Sequence, residues 1–275
     1  MIKRGEKRGT HALTSVINNL KICPKSKRSQ VTIFIIIAVI IIAVALLIYF
    51  IYPKIKTTGI TTDPTSYIQD CIKKDLETNI NKISMQGGSL NPTLYSEYNN
   101  EKIEYLCYIN EYYKTCVMQQ PLLKTHIEEE IKNSINEKTK ECFDSLEETY
   151  KKRGYEVNLI RNDHQVELLP ERIITTFDYY LELTKGSATN KYEVFKIVLN
   201  NNLYELVSIS NSILRSEAQY GDTETTNYMT YYHWLKLEKK GVGDGTKVYI
   251  LTDRNSQNKF QFASRSIVWP AGYGF

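Results

Sequence analysis

Chemistry in this 275-residue chain would have to come from four histidines, five cysteines and one glycine-rich run. His126 stands beside Glu128, Glu129 and Glu130, a grouping close to metal-ligand spacing. A zinc helix of the HExxH kind needs a second imidazole one turn further on, so that both share a face. None is there, and the segment reads as a solvated helix face. His164 falls in an expected polar turn and His233 in a Tyr- and Trp-rich strand, and both read as structural. Gly241, Gly243 and Gly245 invite a phosphate-loop reading, but no Gly-Lys-Ser/Thr follows and no helix begins there. Asp244-Gly245 reads instead as a tight hairpin turn. The GxSxG pattern of a nucleophile elbow is absent. On these grounds the chain is assigned no catalytic, cofactor-binding or metal-binding residue and is read as non-enzymatic, with no cofactor.

The cysteines point elsewhere. Cys71, Cys107, Cys116 and Cys142 are even in number and never arranged as CxxC, which favours disulfides over a zinc knuckle. Cys107 and Cys116 bracket the octapeptide YINEYYKT, a length suited to a hairpin stapled across its strands. Cys71 and Cys142 each lie on or beside the apolar stripe of an expected helix. Of the three possible pairings, 71–142 with 107–116 is therefore the expected one.

The elements around these residues divide the chain. Residues 31–52 form a 22-residue run with no charge, about 33 Å long as a helix and so matched to a hydrocarbon core of about 30 Å. Before it, residues 1–30 carry eight basic side chains against Glu6 alone, a net of +7. After it, 27 basic and 30 acidic residues leave a net of −3. The charge step predicts a single-pass transmembrane helix with its N-terminus in the cytoplasm and the large domain outside. Cys23 then lies inside and the other four cysteines outside. The partners expected are the lipid bilayer and further copies or other surface proteins. The folded part has no basic excess, so nucleic acid is not among them.

Beyond a stalk over residues 53–66, the period alternates between helical and extended. Ile68, Ile72, Leu76, Ile80 and Ile83 predict a helix from Tyr67 that Gly87-Gly88 stops. A second helix is predicted from Pro121 to Gly154, on the stripe Leu123, Ile127, Ile131, Ile135, Cys142, Leu146 and Tyr150. A hairpin (155–160 and 165–169, with its turn at Arg161–His164), a long strand to Lys185, and a helix over 191–220 follow. Three strands then form a C-terminal meander. The expected fold class is α+β: one N-terminal transmembrane helix and a mixed helix and antiparallel-sheet domain over 67–275. The 21 tyrosines offer amphipathic binding area, although an AT-rich genome would also supply them.

The junction Lys27-Arg28-Ser29-Gln30-Val31-Thr32-Ile33-Phe34 resembles an archaeal class III, prepilin-type signal. The resemblance implies peptidase cleavage between Ser29 and Gln30, with the apolar helix kept. Many pilins carry Glu at the fifth mature position, which here is Phe34. The wider chain is similar to uncharacterised single-span surface proteins of small-genome archaea. The likeness rests on Cys71, Gln86-Gly87-Gly88 and the FQFASRS and WPAGYGF tail, and it implies a surface location with no known activity. Three functions follow as expectations: an extracytoplasmic structural or adhesion protein, a ligand-binding or sensing module, and a surface hydrolase with scattered site residues.

Overall fold

The computed structural model describes the backbone of residues 27–51, the side chains of residues 34–46 within it, and all of residues 63–268. Residues 1–26 of the basic tail, with Cys23, most of the expected stalk and the WPAGYGF tail lie outside those residues. Two compact units emerge, Met1–Gly59 and Ile60–Phe275.

The first unit holds helix α1, Lys27–Ile51. Every side chain from Phe34 to Leu46 is exposed, Phe34 at 72% and Ile41 at 62%. Among the described residues, no helix is long and apolar enough to cross a membrane. The described side chains of α1 cover fewer than the roughly 20 residues that a crossing takes.

The second unit is α+β. Helix α2, Pro64–Met85, begins three residues before the expected start. Asp63 accepts from the amides of Thr65 and Ser66, and Pro64 occupies the first turn, where its missing N–H costs nothing. Its stripe Ile68, Ile72, Leu76, Ile80 and Ile83 is fully buried. The helix expected over 121–153 is two: α3, Leu123–Ser134, and α4, Asn136–Lys152. The Ser134 hydroxyl donates to the Ile131 carbonyl, and Asn79 of α2 donates to the Ser134 carbonyl. These bonds draw the carbonyls out of the helical ladder at Ile135, which itself stays buried.

Among the described residues, ten strands complete the unit. β1 (Tyr95–Tyr98), β2 (Glu101–Tyr108), β3 (Val117–Met118), β8 (Leu235–Gly241), β9 (Thr246–Asp253) and β10 (Lys259–Arg265) form one sheet. Its order is β1-β2-β10-β9-β8, with β3 also on β2; the β2–β10 pair is parallel and the others antiparallel. The C-terminal meander therefore forms as expected. The Asp244-Gly245 turn forms too, with Gly245 at φ +86° and Asp244 accepting from the amide of Thr246 at 2.9 Å.

The second sheet is centred on β5 (Arg172–Lys185), with β4 (Glu156–Leu169) on one side and β6 (Ala188–Tyr192) and β7 (Phe195–Asn200) on the other. The turn expected at Arg161–His164 is a bulge inside one continuous β4. Arg161 faces Tyr179 and His164 faces Phe177, so β4 holds one residue more than its partner. The helix expected over 191–220 begins only with α5, Leu203–Tyr220, which Gly221 ends in the left-handed conformation. Residues 195–200 alternate buried and exposed. Phe195, Leu199 and Leu203 are spaced by four, which is two strand periods and also about one helical turn, so the stripe alone could not separate the alternatives. A short helix α6, Thr225–Tyr231, replaces the start of the expected strand, because the Glu224 side chain caps the Thr226 amide.

One apolar core joins α2, α3, α4 and α5 to both sheets. Phe143 of α4 is fully buried in it, with ring centroids 5.1 Å from Phe195 and 4.5 Å from Tyr179.

Candidate functional site

Cys71, Cys107, Cys116 and Cys142 form two disulfides. α2 and α4 pack together and bring Cys71 to Cys142, Cα to Cα 6.0 Å. β2 and β3 form the stapled hairpin, and Cys107 meets Cys116 with Cα atoms 5.3 Å apart. Both expected pairings hold, and none of the four is a free nucleophile.

A Ser-His-Glu cluster lies where α2 ends. Gly87 and Gly88 take φ of +88° and +107°, and a Cβ on Gly87 would sit 2.8 Å from that of Glu104. This turn seats Ser89 with its hydroxyl donating to Glu104 at 2.5 Å and 2.8 Å from Nε2 of His126. His126 is thus not on a solvated face. Its neighbours also point inward: Glu130 accepts from the Leu90 amide at 2.8 Å and Glu128 from the Leu168 amide at 2.7 Å. Glu128 and Glu130 turn inward to amides about 40 residues away, one in β4 and one in the turn after α2, which leave no trace in the local sequence, while Glu129 is exposed as expected.

Nucleophilic catalysis needs the base to draw the proton from the serine. Here the Ser89 hydroxyl donates to Glu104. Burial pushes the Glu104 carboxyl above its usual range, against the lowering effect of Ser89 and His126. Neither of the two cavities described below is lined by Ser89, Glu104 or His126. The cluster ties the Gly-Gly turn to β2 and α3. His164 is buried, stacked on Phe177 at 5.4 Å, with Nε2 3.3 Å from the Lys132 carbonyl oxygen. His233 lies in an exposed turn before β8. Neither joins a carboxylate across a cleft. Among the described residues no group of three or more His, Cys, Asp and Glu could hold a metal ion.

The surface of the described residues includes two concavities. The larger, about 380 Å³, is a polar hollow between α2 and the loop after β7, with Lys73, Glu77, Asn81 and Asn201 in its wall. The smaller, about 210 Å³, is aromatic. Tyr204, Glu205, Ser208, Ile209 and Ser212 recur at helical spacing along one side of α5, and α6 with the turn after it brings Tyr228, Tyr232 and Trp234 opposite. The Tyr228 hydroxyl lies 2.9 Å from the Ser212 hydroxyl, which fixes α6 against α5. The Tyr232 and Trp234 rings are inclined at 60° with centroids 5.9 Å apart, making two walls of a corner. Glu205 accepts from the Glu171 amide through Oε1 at 2.9 Å, while its Oε2 is buried with no hydrogen-bond partner.

No family model, curated protein or solved structure matches this chain.

The groove thus stands on its geometry alone. None of its residues was assigned a binding role from the sequence. The abundance of tyrosine was the only signal, and it is spread along the whole chain, whereas the groove uses three of 21. The expected cleavage junction, Ser29 and Gln30, falls within the backbone of α1, and nothing else bears on it.

Proposed function

We propose that the chain is a single-span protein of the cell membrane that displays a disulfide-stapled α+β domain on the extracytoplasmic side, in a structural or adhesive role. The observation that carries this reading is α1: from residue 31 to its end it carries no charge, and its described side chains, residues 34–46, are exposed all around it. A helix apolar on every face is at home in lipid, where its backbone bonds are satisfied internally. The basic tail before it supports the N-terminus-inside orientation. The two disulfides support an oxidising compartment for the domain. A prepilin-like leader, cut between Ser29 and Gln30, extends the same proposal.

The test is protease treatment of inside-out and right-side-out vesicles, with intact mass of the extracted protein. The domain should be digested only from the outer face. A domain released by carbonate washing, or protected in right-side-out vesicles, would refute the anchor or its orientation. Loss of residues 1–29 from the mass would establish the cleavage, and a full-length mass would remove it. The second reading, a ligand-binding module, rests on the aromatic groove.

A further inference from the structure

We propose that the groove between α5 and α6 binds a quaternary ammonium head group of a small molecule. This goes beyond membrane display and does not depend on it, since every residue used belongs to the folded domain.

Three properties of the groove converge on a cation. Tyr232 and Trp234 stand at 60° to each other with centroids 5.9 Å apart, and Tyr204 and Tyr228 also line the groove, so aromatic rings make up much of its wall. A ring face carries the negative part of the aromatic quadrupole, and a weakly hydrated ammonium approaches it at little desolvation cost. Glu205 supplies a net charge on the same wall, and no basic side chain lines the groove. Its Oε2 is buried without a hydrogen-bond partner, a state that costs stability and that a nearby cation offsets. The volume of about 210 Å³ is below that of the usual drug-sized site, and it suits one head group. A neutral sugar would also stack on these rings, but it leaves the carboxylate charge uncompensated. The net charge of −3 over residues 53–275 favours the cation further.

Calorimetric titration of the full-length protein in a non-ionic detergent tests this with three probes: choline, its neutral isostere 3,3-dimethylbutan-1-ol, and glucose. Choline should bind about tenfold more tightly than the isostere, and glucose should not bind. Glu205→Gln keeps the acceptor that holds the Glu171 amide, so the fold should persist; it should weaken choline about tenfold and leave the isostere unchanged. Tyr232→Leu, which keeps apolar area and removes a ring, should weaken choline as well. Equal affinity for choline and the isostere would reduce the groove to an apolar hollow and overturn the proposal. So would glucose binding in place of choline, no binding of choline at all, or choline binding unaffected by both substitutions.

Discussion

Removing the Cys71–Cys142 disulfide should destabilise the domain far more than removing Cys107–Cys116. The first closes a loop with a sequence separation of 71, the second one of 9. In the chain-entropy account a cross-link restricts the unfolded chain according to the logarithm of the loop length. That amounts to about 4.4 kcal/mol for the longer loop and about 2.6 kcal/mol for the shorter, a difference of about 1.8 kcal/mol. Both pairs belong to the same core, with Cys142 and Cys107 fully buried, so alanine leaves voids of similar size and their cost largely offsets in the comparison. The variants are Cys71→Ala with Cys142→Ala, and Cys107→Ala with Cys116→Ala. Urea unfolding of the full-length chain in one detergent, followed by fluorescence and far-UV circular dichroism, gives the midpoints. At an m of about 2.5 kcal/mol/M, the two variants should differ by about 0.7 M, with the 71–142 variant the weaker. Equal midpoints, or the 107–116 variant unfolding first, would refute loop length as the governing factor. Local packing of the hairpin against β10 would then take its place.

Three further perturbations address the interior. Lys247→Met should cost about 3–5 kcal/mol, because Glu217 is buried with no exposure and Lys247 lies 2.7 Å from it; adding Glu217→Gln should recover part of that in the same unfolding assay. The Tyr249 hydroxyl also donates to Glu217, and burial pushes it far above its ordinary range. Gly221→Ala should lower stability by about 2 kcal/mol or more, since φ is +78° and the new Cβ would collide with the Val268 side chain; a shift in thermal midpoint measures it. Burial holds the His164 imidazole below its ordinary 6.5. The unfolded chain therefore takes up a proton first as the pH drops. The stability that follows from a neutral His164 is complete above pH 6.5 and declines below it. His164→Phe should flatten the pH dependence of the urea midpoint between pH 7 and 5, and an unchanged slope would assign that dependence to other groups.

Much of this protein is written in local patterns. The stripe of α2 and the alternation of β5 each need only their own residues, because burial of one face imposes a period of 3.6 or 2. The disulfide pairing was legible for a related reason: hairpin length placed Cys107 against Cys116, and the stripes placed Cys71 and Cys142 on packing faces. Where a pattern fits both periods, as at Phe195, Leu199 and Leu203, only the pairing of β7 with β5 decides. The break at Ile135 depends on Asn79, 55 residues from the Ser134 carbonyl it binds. The bulge in β4 depends on its register against β5, and it turns an apparent turn histidine into a core one. The polar sites lie beyond reach of the sequence for the same reason. Glu104, Ser89 and His126 come from a strand, a turn and a helix, and the groove takes its walls from α5 and from the segment after α6. Local periodicity follows from burying a face, and the sequence states it. Which unpaired donor meets which acceptor, and which rings enclose one space, are set by long-range packing, and only the tertiary structure decides them.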